Sequence, residues 1–212
     1  MLNTTMREIK TRIKKPSLIA KRREQIMQTA MVLFRKKGYH KTTMREICAL
    51  SKVNRGSFYD YFESKEDILV YIYKQMMYQE GDFEKSLPKE KISRREDLEP
   101  YLRALLSAAW NRDKHPIQLL YRETISLDKR SKKDVLKIES EYVRIVADNL
   151  RKGLGLSVIS QELEILANMV VFIDAFFPLR GWNMHHLDQG KILDFVTDMF
   201  MVKLKGMRSL KE

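Results

Sequence analysis

Cysteine occurs once in the 212 residues, at Cys48. A single thiol cannot close an intramolecular disulfide, which fits a reducing compartment and a fold held together by its core. Glycine is scarce, eight in all, and none is grouped into the glycine-rich loop that wraps a phosphate. There is no Gly-x-Ser-x-Gly and no His-Glu-x-x-His, so the elbow of a hydrolase and the helix of a zinc protease are both missing. No catalytic residue, no enzyme activity and no cofactor are therefore expected. His185 and His186, followed by Asp188, sit side by side in a loop segment without regular ligand spacing, so no metal is expected either. Apolar runs are short. The longest uncharged one, Ile165 to Ile173, falls well below the ~20 residues that span a bilayer. The basic N-terminus leads into no apolar segment of a signal peptide. The expectation is a chain with no membrane partner, placed in the cytoplasm, with no internal repeat and no low-complexity tract.

What the sequence has is hydrophobic periodicity and unevenly placed positive charge. At 44% hydrophobic residues, the chain has enough for a substantial core in one large or two modest domains. The formal net charge is +12, and residues 1–75 hold 17 Lys+Arg against seven Asp+Glu, leaving only +2 for the remainder. A merely solvated charged face would spread the charge more evenly. Concentration on one segment is the distribution expected when phosphate neutralisation supplies affinity.

That basic segment contains TTMREICALSKVNRGSFYDYFESKEDIL, from Thr42 to Leu69. Thr42 or Thr43 suits the N-cap of a first short helix, with Met44, Ile47, Cys48 and Ser51 along its inward face. After a turn at Ser51-Lys52-Val53, Asn54 can cap a second helix from Arg55 to Tyr61. Val53, Phe58 and Phe62 point inward there, leaving Arg55, Ser57, Tyr59 and Asp60 outward. Ser64 with Asp67 has the spacing of a capping box, which sets Lys65 at a helix start where backbone N–H groups favour a phosphate. Two short helices, a tight turn and a newly capped third form the layout of a helix-turn-helix DNA reader. Cys48, on an inward face, reads as an inert buried thiol.

The order of these residues resembles the TetR/AcrR family of transcriptional regulators. The resemblance rests on Phe34, Gly38-Tyr39, Thr42-Thr43, Gly56-Ser57-Phe58-Tyr59-Asp60-Tyr61-Phe62 and Ser64-Lys65-Glu66, and covers about residues 20 to 70. It implies DNA contacts from Thr42, Thr43, Arg45, Asn54, Arg55, Gly56, Ser57, Tyr59, Tyr61 and Lys65. It also implies a homodimer on a palindromic operator of double-stranded DNA. Two departures stand out. Lys52 occupies a turn position where the family usually has glycine, which would cost about 1 kcal/mol if the backbone there is left-handed. Asp60 would be repelled by phosphates unless it accepts from a cytosine amino group or pairs with Arg55 or Arg45. The intramolecular pair is the favoured reading.

Helical periodicity then continues to the end of the chain, giving an all-α fold of about nine helices: a three-helix head with a helix-turn-helix, and a larger C-terminal helical domain for ligand binding and dimerisation. The expected divisions are a basic flexible arm over 1–16, the DNA-binding domain over 17–63, a linking helix over 64–80 and the second domain over 81–212. The arm is a further candidate for DNA contact. Ser93 with Glu96 reads as another capping box, Pro116 opens a helix, and Gly153 with Gly155 stops a long one. From Leu163 to Phe177 and again from Ile192 to Leu204, apolar residues occupy two helix faces, more than one seam uses. Leu166, Val170, Phe195, Met199 and Phe200 are the residues assigned to a dimer interface, the competing reading being that both faces are internal core. Trp110, Tyr121, Met169, Phe172, Phe176 and Trp182, with Arg122 and Arg180 as polar groups, are candidates for an effector pocket. By the resemblance it would take a small, largely apolar molecule, lipophilic or an acyl thioester. By composition alone such a stripe is more often a filled core, and the resemblance is what brings the pocket reading level with it. The competing function is an architectural or protein-interaction factor that uses the same reader without a small-molecule ligand.

Overall fold

In a computed structural model of the chain, residues 16–77, 92–111 and 113–207 are described. The basic arm up to residue 15, the end of the linking helix at Tyr78 and the loop expected from Gly81 to Lys91 lie outside these residues. Ten α-helices are present among the described residues, and no strand. They are α1 (Pro16–Lys37), α2 (Met44–Ser51), α3 (Arg55–Phe58), α4 (Lys65–Met77), α5 (Leu98–Trp110), α6 (Lys114–Glu123), α7 (Lys129–Leu154), α8 (Gln161–Asp174), α9 (Phe176–Arg180) and α10 (Gln189–Gly206). The tenth helix arises because the segment expected as one helix from Ser160 to Phe177 breaks at Ala175. Pro178 has no N–H to donate, and its ring would collide with the Asp174 carbonyl in a continuous helix. The nearby carbonyl of Ile173 accepts the indole N–H of Trp110 at 3.0 Å.

The chain divides into two compact units. The first comprises Met1–Met76 and Leu119–Ile138, the second Met77–Gln118 and Glu139–Glu212. In the first unit, α1 buries Ile26, Met27, Ala30 and Phe34, and α2 buries Ile47, Cys48 and Ser51. Phe58 and Phe62, each about 1% exposed, fill the space beneath the turn, and Phe62 meets Tyr71 of α4 edge-on at 5.4 Å. Two side chains of α1 tie the reader down: Gln25 donates to the carbonyl of Ser51 at 2.9 Å, and Arg23 to that of Tyr61 at 3.2 Å.

In the second unit, Tyr101, Leu102 and Leu106 of α5, Val146 and Leu150 of α7, Leu163, Ala167 and Val170 of α8, and Phe200 and Leu204 of α10 are buried. Gly153 lies inside α7 instead of ending it, because a Cβ there would run into Leu98 and come within 2.8 Å of Ile92 Cγ2. The stop is Gly155, at φ +68°. The capping box expected from Ser93 and Glu96 is replaced by one built on Asp97, whose carboxylate accepts the N–H groups of Ser93 at 2.9 Å and Arg94 at 3.1 Å. The first turn is then a tighter 3-10 turn over Arg95–Asp97, which shifts the acceptor by one position.

Candidate nucleic-acid interface

The reader is built by three successive caps. Thr43 caps α2 reciprocally with Glu46: the Thr43 hydroxyl accepts the Glu46 N–H at 3.3 Å, and the Glu46 carboxylate accepts the Thr43 N–H at 2.9 Å. Asn54 Oδ1 accepts the Ser57 N–H at 2.7 Å, which starts α3. Ser64 and Asp67 close the box expected for α4, with Asp67 N–H to Ser64 Oγ and Ser64 N–H to Asp67 Oδ2 both at 3.1 Å. Between α2 and α3, Lys52 has φ 54° and ψ 35°, and it is the one non-glycine residue with positive φ among those described. The left-handed turn is therefore made without the glycine that would ease it.

Arg45, Asn54, Arg55, Gly56 and Tyr59 are exposed, Tyr59 at 46%, and Ser57 is half-buried. Arg45 presents its side chain from α2, and the others lie on α3 and its flanking residues. The second helix is shorter than expected: after Phe58 the chain continues in tighter turns, with Asp60 N–H to the Ser57 carbonyl and Tyr61 N–H to that of Phe58. This tightening turns Tyr61 inward, to 6% exposure. Thr42 is also corrected. At 1% exposure it donates its hydroxyl to the carbonyl of Gly38 at 2.9 Å, a local bond that closes the turn before α2. Neither side chain is offered to a groove. Thr43 is exposed, with its hydroxyl engaged in the cap. Asp60 forms no ion pair with Arg55 or Arg45 among the described residues. Lys65 is half-buried at the start of α4, where Nζ donates to the carbonyl of Tyr39 at 3.1 Å and lies 4.5 Å from the centre of its ring. An ammonium has three protons, so this anchor leaves donors to spare.

The residues assigned to a pocket fall in both units. Tyr121 and Arg122 belong to the first unit, while Trp110, Met169, Phe172, Phe176, Arg180 and Trp182 belong to the second. Trp110, 5% exposed, is stacked on Phe177 at 5.5 Å and packs beside Phe176. Trp182 is 69% exposed, with Arg180 over its ring at 5.6 Å. Asp174 accepts the hydroxyl of Tyr142 at 2.7 Å.

On α8 the outward face is the other one from that assigned to the interface, while on α10 the assigned residues are divided between the two faces. Leu166, Val170 and Phe200 are buried within their own unit, so of the assigned dimer residues Phe195 and Met199 remain exposed. Met169 and Phe172 join these, together with Ile165 and Val202, as outward apolar side chains. Part of this face forms an open groove of about 540 Å³ along Ile165, Met169 and Met199, rimmed by Glu162 and Lys203, which form an ion pair. Periodicity located both faces of each helix but could not tell which one its own core would use.

Residues 26–72 match the family model of bacterial regulatory proteins, tetR family. The reading head is therefore of the tetR-family type. Among relatives, it is 27% identical to the HTH-type transcriptional regulator HbdR of Aromatoleum sp. (strain CIB), over 96% of this chain and 88% of that one. It is also 27% identical to the fatty acid metabolism regulator protein of Bacillus subtilis (strain 168), over 76% of this chain and 83% of that one. Among solved structures, the fold is similar to that of the transcriptional regulator FadR from Bacillus subtilis in complex with stearoyl-CoA, with a TM-score of 0.62 and 23% identity over 86% of this chain and 97% of that one. The likeness in fold therefore extends beyond the head to the helical remainder. No helix among the described residues is long and apolar enough to cross a membrane.

Proposed function

We propose that this chain is a TetR-family regulator, a homodimeric repressor that grips a palindromic operator with α3 and releases it when a small, largely apolar molecule enters the second unit. The observation that carries the DNA reading is the outward surface of Arg45, Arg55, Gly56, Ser57 and Tyr59, set on a capped turn within the positively charged part of the chain. Arg55 is assigned to a base edge in the major groove, where a bidentate arginine to guanine is the commonest specific contact. Arg45, Lys65 and the backbone at the start of α2 are assigned to phosphates, which fix register without reading sequence. The dimer reading is supported by the outward apolar face of Ile165, Met169, Phe172, Phe195, Met199 and Val202, an exposed patch of the kind that marks an interface. For the effector, the likeness to the Bacillus subtilis fatty acid metabolism regulator protein and to FadR in complex with stearoyl-CoA makes a long-chain acyl thioester the first compound to try.

A second reading has its own support. Trp110 is already stacked on Phe177 and hydrogen-bonded to Ile173, an arrangement that suits a filled domain answering to a protein partner.

The test begins with genomic fragments selected by the purified protein. Arg55→Ala should weaken the best fragment by about 1–3 kcal/mol and relax base preference. Equal weakening on random duplex would reduce Arg55 to a phosphate contact. Stearoyl-CoA should raise the thermal midpoint and weaken binding to the same fragment together. If neither it nor other acyl thioesters and lipophilic compounds do both, the filled-domain reading prevails.

A further inference from the structure

The segment Leu119–Ile138 packs as part of the first unit, far from it in sequence, and brings its charge along. Counted over the sequence, the first unit holds 23 Lys+Arg against 10 Asp+Glu, and the second 17 against 18. Leu119–Ile138 contributes six of those cations and three of the acids. Two of the three acids are committed elsewhere. Glu123, 4% exposed, places one carboxylate oxygen 3.0 Å from His40 Nε2 and accepts from Arg122 Nε on the other at 2.8 Å. Asp128 caps α7, accepting the N–H groups of Arg130 at 2.8 Å and Ser131 at 2.9 Å.

What remains is a stripe. Lys129, Lys133 and Lys137 recur at every fourth residue, which places them on one face of α7 about 6 Å apart along its axis. All three are exposed, and none is in an ion pair among the described residues. Like charges at this spacing repel one another, so the stripe is not explained by helix stability.

Tyr39 ties the origin of the stripe to the reader. Its hydroxyl donates to Glu66 Oε1 at 3.0 Å, and its carbonyl accepts from Lys65 at 3.1 Å, so it is joined to the start of α4. Burial and the Glu66 contact raise its hydroxyl pKa above the ordinary range, and the carboxylates of Glu123 and Asp128 add to this. His40, the partner of Glu123, lies three residues before the Thr43 cap. Through the His40–Glu123 contact, the segment that leads into α7 is tied to the turn before α2, whose start, like that of α4, is assigned above to phosphates.

We propose that Lys129, Lys133 and Lys137 form an additional, sequence-independent contact with the phosphates of duplex DNA, which widens the footprint of each head. The partner is duplex DNA because the stripe continues the charge of the unit that contains the reader, and evenly spaced cations complement a strand of regularly spaced phosphates. This inference rests on the DNA-binding reading of the head.

The experiment measures the affinity of the full chain for a random-sequence duplex across a salt series. Combined Lys129→Gln, Lys133→Gln and Lys137→Gln should flatten the slope of log affinity against log salt by about 1–3 per head, without lowering the thermal midpoint. Combined Lys→Arg at the same positions should keep the parent slope. Lys191→Gln, exposed in the second unit, should leave it unchanged. A Gln triple with the parent slope overturns the proposal, and so does a flattened slope in the Arg triple. The two readings fail differently. A parent chain that does not bind duplex at low salt removes the DNA-binding reading and the stripe with it. A parent that binds, and is weakened by Arg55→Ala but not by the Gln triple, removes the stripe alone.

Discussion

At the scale of single residues, the reader depends on a few side chains whose ionisation or backbone conformation is set by immediate neighbours. Glu46 shows this most clearly. Its pKa is held from an ordinary 4.5 down to about 2, first by its contact with Lys37 and then by its bonds to the Thr43 hydroxyl and N–H. The depressed value means that the carboxylate form stabilises the folded chain. That contribution is complete above pH 4.5 and is lost as pH falls through about 2. Glu46→Gln should therefore lower the thermal midpoint by a constant amount at neutral pH, with the gap to the parent closing during acidification toward pH 2. Melting curves of the two proteins across that range check it, and a gap that stays open to the lowest pH would show that the box does not depend on the charge. Lys52 is the opposite case: its left-handed backbone is a cost, tolerated because the caps at Thr43 and Asn54 on either side fix the turn.

At the scale of elements, what ends or bends a helix decides where its side chains go. Pro178 divides α8 from α9, and the Trp110 indole occupies the adjacent carbonyl of Ile173. In α7, Gly153 and Gly155 are two residues apart and do different jobs, one permitting close approach of Leu98 and the other a left-handed stop. Gly153→Ala should cost about 1–3 kcal/mol by overpacking against Leu98 and Ile92. Gly206→Ala, at a position where a Cβ meets nothing within 4 Å, should be neutral or slightly stabilising. Urea unfolding midpoints of the two variants distinguish a packing requirement from a general loss of glycine.

At the scale of the whole molecule, charge and apolar surface are segregated between the units. The first unit holds the surplus of positive charge, and the second presents the uncovered stripe of α8 and α10. Phe195 and Val202 are each 73% exposed, so burying them requires a surface that their own unit does not supply. Phe195→Glu should shift the chain from dimer to monomer in light scattering while leaving the far-UV signal intact. It should also weaken binding to a palindromic fragment more than to a single half-site, because symmetry links the two heads. A variant that stays dimeric would move the interface away from this face.

The sequence by itself determined the helical class, the positions of the caps at Asn54 and Ser64, a first cap at Thr42 or Thr43, and the basic character of the head. Each of these is local: a cap needs residues three apart, and periodicity needs one turn of helix. At other positions only the folded structure decided which side chains face outward. Thr42 and Tyr61 share the residue types of their exposed neighbours and are turned inward by a bond to Gly38 and by the tightening after Phe58. Leu166 and Met169 are equally apolar to a periodicity count, yet one is core and the other surface, because which face of α8 is covered depends on helices distant in sequence. The same holds for Leu119–Ile138. Its lysines acquire meaning from a His40–Glu123 contact across 83 residues of chain, and separations of that kind are fixed by folding, not by local pattern.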